Sequence, residues 1–338
     1  MSITTKDVAL KAGVSSITVS RTFSGTHTVA EETRQKVIQA AQELGYVPNL
    51  LARGLVQRRS PVIGLIVQDL ANLFYGTFIE TVQDVAQQRD HMLIVSQSHN
   101  KVNTEFAQIN QLRQLQVSGS LIAAVDSDAS HLRVLKKSGM PMVVIFGRWE
   151  EGDYVAVDDF AAGQIVGKHL LDQGHHRLGW VMPGGLDSLG SGRQQCRQGF
   201  EAALAERGLE AGFSLTTESG ITTSEGREAA EDFLRQRNDV SAVFVRADRL
   251  ALGFIHRLLE AGVRVPEEVA VIGYGDTHRA SIDGQPLTTV AVPKREAGRR
   301  AAEILFSRIE GAASEQESQQ ILLDPSLIIR KTCGAKDG

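Results

Sequence analysis

The chain contains little cysteine and no long apolar run. Its two cysteines, Cys196 and Cys333, are far apart and form no CxxC pair. This spacing argues against a disulfide framework or a zinc site and is typical of a protein in a reducing cytoplasm. No apolar stretch reaches the roughly 18 residues of a membrane span, and the start "MSITTKDVAL" lacks the features of a signal peptide. We therefore expect a cytoplasmic protein that does not enter a membrane.

The sequence also lacks the motifs of common catalytic and metal sites. The segment "GSGR" at residues 190–193 has no trailing GK[ST], and no GxSxG elbow is present. The nine histidines show no metal-ligand spacing. Asp158 and Asp159 are adjacent, so in a strand they would face opposite sides and form no catalytic pair. Because no nucleophile–base pair is found, we predict a protein that is not an enzyme and uses no metal or cofactor.

Charge is distributed unevenly along the chain. Residues 1–60 contain eight basic and four acidic residues, whereas the whole chain has a net charge of −4. The first sixty residues therefore carry +4 and the remainder −8. A basic head on an acidic body is the pattern expected of a small nucleic-acid-binding unit attached to a larger domain, although chance unevenness gives the same numbers.

Three short helices are predicted in this basic head. Thr4 or Thr5 caps "TKDVALKAG", Ser15 caps a helix that holds "ITVSRTF", and the third helix is "AEETRQKVIQAAQELG". Gly13 and Gly45 end the first and third helices. Two short helices joined by a tight turn and braced by a third form a helix-turn-helix. A solvated helix in any small bundle is the alternative explanation of this periodicity.

The second helix combines an apolar stripe with many short hydroxyl side chains. We expect Val14, Val19 and Phe23 in the small core, so that the hydroxyl side chains lie outward or at the helix start. Short side chains allow a helix to approach the major groove of DNA closely. Ile17 can contact a thymine methyl group, and Arg21 can bind guanine or a phosphate.

Residues 4–55 resemble the head of LacI/GalR-family transcriptional repressors. The resemblance rests on "DVA" at 7–9, "AGVS" at 12–15, "TVSR" at 18–21, "LGY.PN" from 44 and "AR.L" from 52. Ser24 and Leu50 depart from the Asn and Arg that many members carry. The resemblance implies a helix-turn-helix domain at 1–48, with DNA contacts expected from Thr4, Ser15, Ser16, Ile17, Thr18, Ser20, Arg21, Thr28, Ala30, Thr33, Tyr46, Asn49, Ala52, Arg53 and Leu55.

Residues 49–60 form the expected linker to the remainder of the chain. Pro48 interrupts the third helix, and residues 50–57 form a helical pattern too short to be stable alone in water. This segment resembles the family's hinge helix, which folds when two subunits sit together on the operator. Ala52 and Leu55 match positions that enter the minor groove, where Leu wedges into a base step. An exposed basic linker that happens to contain leucines is the alternative.

From Val62 onward, strand and helix patterns alternate. Buried strands are predicted at "VIGLIV", "HMLIVSQ", "GSLIAAV", "MVVIFG", "RLGWVM", "AVFVRA" and "VAVIGYG". The helical stretches between them predict parallel sheets with helices on both faces, and the length suggests two such sheets with a ligand cleft at the strands' carboxyl ends.

The core also resembles the LacI/GalR family, which shares its two-lobed architecture with periplasmic sugar-binding proteins. The matching segments include "IGLIV.DL.N.F" from Ile63, "GHHRLG" from Gly174 and "VPEEVAVIGYGD" from Val265. The resemblance implies a core at 61–338 built as two doubly wound parallel-sheet subdomains. We expect one subdomain at about 61–157 and 291–321 and the other at about 158–290 and 322–338.

Positions that match the family also indicate effector-binding residues. Three positions depart from the family's pattern: Ala247 stands where Asn is usual, Gly275 where Asp is frequent and Cys196 where Arg is usual. "GYGD" is similar to members that respond to sugar acids such as gluconate, and several arginines can supply an anion site. The expected set is Asp69, Asn72, Phe74, Arg148, Arg193, Arg197, Arg246, Asp248 and Asp276. As alternatives, Asp69 caps the following helix, Arg193 lies on the surface and Asp276 is a turn residue.

These patterns together predict a homodimeric repressor of carbohydrate-utilisation genes that binds a pseudo-palindromic operator in double-stranded DNA. A small effector, which is a sugar, a sugar acid or a sugar phosphate, would bind in the cleft. A sugar-binding module without regulatory DNA binding is the alternative, and the basic head counts against it. A Rossmann-like enzyme is disfavoured because no catalytic constellation is found.

The hinge hypothesis makes a prediction about Leu55. We expect Leu55→Ala to weaken operator binding strongly, because the wedge that inserts into the base step is lost, and to leave effector affinity near normal. Gel-shift titrations with a duplex selected from a random pool measure the first quantity, and calorimetry measures the second. Unchanged operator affinity would reject the wedge.

Overall fold

The computed structural model describes residues 3–24, 29–47, 60–126, 130–184, 192–218, 220–236, 239–282, 286–311 and 317–334. Five of the expected DNA contacts lie outside these residues, as does most of the predicted hinge segment; the five are Thr28, Asn49, Ala52, Arg53 and Leu55. The chain divides into two units, Met1–Pro61 and Val62–Gly338.

The described part of the first unit consists of the helices α1 (Thr5–Ala12), α2 (Ser16–Ser24) and α3 (Glu31–Leu44). The Thr4 N–H and hydroxyl donate to the Asp7 carboxylate at 2.8 and 2.7 Å, and the Thr18 N–H donates to Ser15 Oγ at 3.1 Å. Thr4 and Ser15 therefore cap α1 and α2, as the sequence predicts. Gly13 ends α1 with a φ of 67°, a conformation that glycine adopts without steric penalty.

A small core holds these three helices together. Val8, Val19 and Val37 are fully buried, one from each helix, and Ala40 and Ala41 pack beside them. Partly buried apolar residues complete the cluster, including the predicted core residues Val14 and Phe23. Together with Leu44, the buried residues Val37, Ala40 and Ala41 form an apolar stripe along α3 that packs against the other two helices.

The first lobe of the second unit is a six-stranded, fully parallel sheet in the order β11-β5-β4-β3-β1-β2. Its elements are β1 (Val62–Val67), α4 (Gly76–Gln88), β2 (Met92–Gln97), α5 (Val102–Gln114), β3 (Gly119–Ile122), α6 (Ser130–Lys137), β4 (Met142–Ile145) and β5 (Asp153–Val157), followed much later in the chain by α12 (Lys294–Ile309) and β11 (Gln320–Leu323). A 3₁₀ turn, Leu73–Tyr75, precedes α4.

The second lobe is a six-stranded sheet in the order β12-β10-β9-β8-β6-β7. It comprises α7 (Asp159–Asp172), β6 (Leu178–Met182), α8 (Gly192–Ala205), β7 (Phe213–Thr216), α9 (Thr223–Gln236), β8 (Ala242–Val245), α10 (Asp248–Glu260), β9 (Ala270–Gly275), α11 (Arg279–Ile282), β10 (Thr288–Ala291), β12 (Ser326–Ile328) and a 3₁₀ turn, Lys331–Cys333. Every pairing is parallel except that between β10 and β12. The predicted class, two parallel sheets with helices between the strands, is confirmed.

The chain crosses between the lobes at three places. It crosses at Asp158 after β5, at residues 292–293 after β10 and at residues 324–325 between β11 and β12. The approximate divisions expected at 290/291 and 321/322 lie near the ends of β10 and β11, next to these crossings. Both strands remain paired within their own sheets to their last residue.

Several elements were absent from the sequence prediction. These are β5, β7, β10, β11, β12, α6 and α11. In β5 the apolar run is only four residues long and is flanked by acidic residues, of which Asp153 begins the strand. The Asp153 carboxylate accepts two hydrogen bonds of 2.8 Å from Arg308 and is buried. Conversely, β2 was predicted as a buried strand but lies at the sheet edge, with Met92 54% exposed. None of the helices in the described ranges has the length and apolarity that a membrane crossing needs.

In the second lobe, α7 and α8 approach each other unusually closely. A Cβ atom on Gly163 would lie 1.9 Å from the carbonyl oxygen of Cys196, and one on Gly199 would lie 1.9 Å from that of Phe160. Both distances are far inside van der Waals contact. Glycine is therefore required at both positions for the two backbones to pack together.

This contact leads to a stability prediction. Gly163→Ala should lower the free energy of unfolding of the core by about 1–3 kcal/mol, because one helix must shift away from the other. Urea denaturation followed by circular dichroism measures the change. Gly76→Ala is the matched control, since a Cβ atom at Gly76 meets nothing within 4 Å. We expect this control to be neutral or slightly stabilising, and an equal loss in both variants would contradict the steric argument.

Candidate functional site

One face of α2 carries the exposed side chains expected to contact DNA. Ser16, Ile17, Ser20 and Arg21 are exposed, and Ile17 exposes 64% of its surface. An aliphatic side chain that is this exposed to solvent in a small domain is free to contact another molecule. Val19, in the same helix, is fully buried in the core of the head. The helix therefore presents short polar groups and one aliphatic side chain outward.

Other predicted DNA contacts have partners within the head. The hydroxyls of Ser15 and Thr18 lie 2.9 Å apart at the start of α2. The Tyr46 hydroxyl lies 3.1 Å from Thr5 Oγ1, and its ring centroid lies 5.9 Å from that of Phe23. Tyr46 thus braces the head. The remaining predicted contacts in the described residues are Thr4 and Ala30, which are exposed, and Thr33, which is half-buried.

A cavity lies between the two lobes of the second unit at the carboxyl ends of their strands. It contains about 1070 Å³ of empty space, part of which is open to solvent. Five of the predicted effector residues line it, namely Asn72, Phe74, Arg193, Arg246 and Asp248. This is the position in which parallel α/β sheets bind small ligands.

Arg246, directly after β8, is one of the charged residues that line this cavity. Its Nη2 donates to Asp159 Oδ1 at 2.7 Å, and its guanidinium carbon lies 4.6 Å from the ring centroid of Tyr274. The Tyr274 hydroxyl donates to the same carboxylate oxygen at 2.7 Å. Arg246 Nε is buried and has no hydrogen-bond partner among the described residues. The guanidinium is held in place by Asp159 and Tyr274.

Burial and charge act in opposite directions on this cluster. Burial by itself lowers the pKa of the Arg246 guanidinium, but the Asp159 carboxylate, together with smaller contributions from Tyr274 and Cys196, outweighs it and the pKa is raised. Arg246 is therefore permanently charged. Burial also raises the pKa of the Tyr274 hydroxyl well above its usual value, with the Asp159 charge adding to the effect. Beneath them, burial raises the pKa of the Cys196 thiol to about 12, so that Cys196 is a neutral core residue.

Asp248, the first residue of α10, lies in the same lobe and is held by threonines. Its Oδ2 accepts from the Thr277 N–H at 2.6 Å and from the Thr277 hydroxyl at 2.9 Å. Its Oδ1 accepts from the Thr289 hydroxyl at 2.5 Å. Burial raises the pKa of Asp248, and these three hydrogen bonds oppose the shift. The carboxylate is thereby oriented before any ligand arrives.

The first lobe contributes aromatic and amide groups to the cavity. The ring centroids of Phe74 and Phe146 lie 4.9 Å apart in an edge-to-face arrangement. The Tyr75 hydroxyl donates to Gln68 Oε1 at 3.3 Å, and Gln68 Nε2 donates to the Ala124 carbonyl at 3.0 Å. Burial raises the pKa of Tyr75 above its usual value. This wall is therefore largely apolar, with neutral polar groups already bonded to one another.

Asp69 and Asp276, two predicted carboxylates, do not line the cavity. Asp69 Oδ1 accepts from the Ala71 N–H at 2.9 Å, and its Oδ2 lies 3.4 Å from the guanidinium of Arg249, which does line the cavity. Asp276 has a φ of 46° and accepts from Arg330 Nη2 at 2.6 Å. Asp276 occupies a turn, in agreement with the alternative interpretation. Asp69 is linked to the cavity through its ion pair with Arg249.

Two predicted arginines also lie apart from the cavity lining. Arg197 lies 5.7 Å from the ring centroid of Trp180, and its Nε is 4.0 Å from Glu201 Oε2 in the next turn of α8. Arg148 follows β4 but is outside the lining, and its Nε is buried without a hydrogen-bond partner among the described residues. Arg193 does line the cavity, and its Nη1 donates to the Gly184 carbonyl at 2.8 Å. Arg197 is four residues further along the same helix, so it lies on the same face about one helical turn beyond Arg193 and outside the lining.

Sequence reasoning missed several residues that line the cavity. The polar and aromatic ones are Gln68, Tyr75, Asp159, Arg249, Tyr274 and Thr277, and several apolar residues complete the lining. Asp159 is the first residue of α7, as the helical pattern predicts, but it was not expected to line a cavity. Asp158 caps that helix by accepting from the Ala161 N–H at 2.9 Å. Recognition of β5 would have found Asp159, because it then follows a strand's carboxyl end.

The buried pair of Asp159 and Arg246 leads to a second stability prediction. Asp159→Asn should lower the free energy of unfolding by about 3–5 kcal/mol, because it leaves a buried guanidinium without its counter-charge. Adding Arg246→Met should recover much of this loss. Asp158→Asn is the matched control, since Asn also caps helices and should change stability by less than about 1 kcal/mol. Urea denaturation measures all three variants, and equal losses in the two single variants would refute a specific role for the pair.

Comparisons with known proteins agree with this geometry. Residues 4–49 match the model of bacterial regulatory proteins of the lacI family, and residues 60–331 match that of periplasmic binding proteins and the sugar-binding domain of the LacI family. The HTH-type transcriptional repressor PurR of Serratia proteamaculans (strain 568) is 34% identical over 97% of this chain and 96% of its own length. Catabolite control protein A of Priestia megaterium is 31% identical over 90% and 92%, respectively.

A solved structure extends the similarity to three dimensions. The crystal structure of the lac repressor dimer bound to operator and the anti-inducer ONPF matches with a TM-score of 0.86 and 25% identity, covering 99% of this chain and 100% of that one. The resemblance found in the sequence is thus confirmed in both parts of the protein. From matches at residues 4–49 and 60–331, this chain belongs to the LacI family of bacterial regulatory proteins.

Proposed function

We propose that this LacI-family regulator is a cytoplasmic, homodimeric transcriptional repressor that binds a near-palindromic operator through its head and a sugar acid in its core cavity. The regulated genes would serve carbohydrate utilisation, and the effector would be of the gluconate type. The similarity to a lac repressor that was solved as a dimer with operator and an anti-inducer supports this arrangement.

The surface of α2 supports operator binding. Ser16 and Ser20 are short enough to let the helix backbone approach base edges, while Ile17 offers an apolar contact to thymine methyl groups and Arg21 a bidentate donor. One such head reads only a few base pairs. Two heads related by a dimer axis read two half-sites, so the operator carries the same symmetry.

The observation that carries the choice of effector is the buried guanidinium of Arg246. This residue lines the cavity together with Arg193 and Arg249. The two carboxylates of the described lining, Asp159 and Asp248, already accept hydrogen bonds from protein donors. Three guanidinium groups therefore face two carboxylates in this lining, which leaves an excess of positive charge. A ligand that brings a carboxylate matches this excess, because a guanidinium binds a carboxylate through charge-assisted bonds.

The remainder of the cavity suits the polyhydroxylated part of such a ligand. Asn72 offers an amide group, and the ring of Phe74 offers a flat apolar face. An effector that contacts both lobes binds most tightly at one particular lobe spacing. It changes operator affinity only to the extent that it prefers one of the two lobe arrangements.

The operator part of the proposal is tested by selecting duplexes from a random pool and titrating the best one at several salt concentrations. We expect operator affinity to fall steeply as salt rises, because phosphate contacts release counterions. Adding gluconate should change operator affinity, and adding glucose should not. Failure to prefer any duplex over bulk competitor would reject DNA binding and favour the sugar-binding module.

Calorimetry with the full chain tests the effector class. We expect heat on titration with gluconate and none with glucose, while glucose 6-phosphate separates a carboxylate requirement from a general need for an anion. Arg193→Met should weaken gluconate binding about tenfold or more, because a charge-assisted bond is lost. Arg207→Met is the control, since Arg207 forms an exposed ion pair with Asp172 at 3.4 Å away from the cavity. Heat from glucose alone would overturn the sugar-acid assignment.

A further inference from the structure

Lys294 is a buried lysine that forms hydrogen bonds from one lobe to the other. It is the first residue of α12, whose inner face packs in the first lobe through Ala301 and Leu305, and it is only 9% exposed. Its ammonium donates to the carbonyl oxygens of Gly275 and Asp276, at 2.9 Å for Asp276. Both carbonyls lie at the carboxyl end of β9 in the second lobe. Lys294 therefore ties a first-lobe helix to a second-lobe turn.

The turn that Lys294 holds has a conformation that needs support. Gly275 has a φ of 127° and Asp276 a φ of 46°, which is unfavourable for a residue with a Cβ atom. The next residue, Thr277, donates its N–H and hydroxyl to Asp248. Thr277 and Asp248 both line the cavity. Any movement of this turn is therefore transferred to the oriented carboxylate in the cavity wall.

On its other side, Lys294 contacts the first-lobe wall of the cavity. Its ammonium nitrogen lies 5.7 Å from the ring centroid of Phe74, a residue in the lining. Phe74 also packs against the turn, since a Cβ atom on Gly275 would lie 3.3 Å from the Phe74 ring. Lys294 therefore contacts Phe74 in the first-lobe wall of the cavity and the turn after β9 in the second lobe, so its contacts depend on the distance between the two walls.

The charges around Lys294 keep it a strong donor. Burial lowers its pKa, and the carboxylates of Asp248 and Asp276 oppose this shift. Asp276 in turn pairs with Arg330. Hydrogen bonds from a charged donor to carbonyls are stronger than neutral ones, and breaking them in a buried site leaves unsatisfied groups behind.

We propose that Lys294 is a positioning residue that transmits the spacing of the cavity walls to α12, and so couples effector binding to the arrangement of the first lobe. This inference rests on the proposed function for its regulatory meaning. An effector that moves Phe74 relative to the Gly275–Thr277 turn must stretch or tighten the bonds of Lys294. Because Lys294 begins α12, that helix moves with them.

The first test uses the ligand-free full chain and hydrogen–deuterium exchange. Lys294→Met retains the length and apolar character of the side chain but removes the donor. We expect amide exchange in the Gly275–Thr277 turn to rise about tenfold or more, while exchange within α12 is unchanged. Arg295→Met is the matched control, since Arg295 is the next residue of the helix and pairs on the surface with Glu80 at 3.2 Å. It should leave the turn unaltered.

The exchange pattern separates a coupling role from a merely structural one. Faster exchange confined to the turn supports the proposal. Unchanged exchange in the turn, or an equal loss of protection along α12, overturns it. A thermal melt of each variant verifies that the protein is folded, so the comparison is made between native states.

The second test separates effector affinity from effector response. With gluconate as the probe, Lys294→Met should bind within about threefold of the wild-type affinity, while the ratio of operator Kd values with and without gluconate falls to near one. A ratio that remains at the wild-type value overturns the inference. If wild-type operator binding ignores gluconate, the proposed effector class fails, and the exchange result alone then decides the role of Lys294.

Discussion

The two sheets of the core face each other through the carboxyl ends of their strands, and this constraint determines where every cavity residue lies. Because the pairings at the centre of each sheet are parallel, all of those strands end at the same edge. Gln68 follows β1, Phe146 follows β4 and Arg246 follows β8. Residues that are far apart in sequence are thus collected around one cavity.

Long-range polar contacts then fix the side chains around that cavity. Asp159 joins Arg246 across 87 residues, and Asp248 is held by Thr277 and Thr289. In the first lobe the buried Glu105 accepts the Val125 N–H at 2.8 Å and lies 2.7 Å from His131 Nε2. That contact supports the loop after β3, from which Val125 faces the cavity. A ligand site whose groups are oriented in advance loses less entropy on binding.

The sequence predicted the elements with strong apolar periodicity and failed where polar residues serve a buried role. The helices of the head, the caps at Thr4 and Ser15 and the strands with continuous Val and Ile were found from local patterns. The strand β5 was missed because its apolar run is short and begins next to the charged residue Asp153, which Arg308, 155 residues away, neutralises in the fold. The same omission concealed Asp159.

The candidate site follows the same rule. Asn72, Phe74, Arg193 and Asp248 were expected from positions that match the family, and Arg246 as an arginine able to bind an anion; all five line the cavity. Arg197 was expected with them but lies one helical turn beyond Arg193, outside the lining, and local sequence does not reveal where along a helix the cavity ends. Asp276 was predicted from a motif, but the backbone turn and Arg330 direct its carboxylate elsewhere.

The glycine contacts between α7 and α8 have a consequence for ligand discrimination. With backbone atoms touching at Gly163 and Gly199, neither helix can slide or withdraw without the other. The first turns of these helices carry Asp159 and Arg193 to the cavity. The wall that they form is consequently rigid, and an effector too large for it would have to displace both helices at once. The aromatic side chains of the opposite wall are not tied to one another by backbone contacts of this kind.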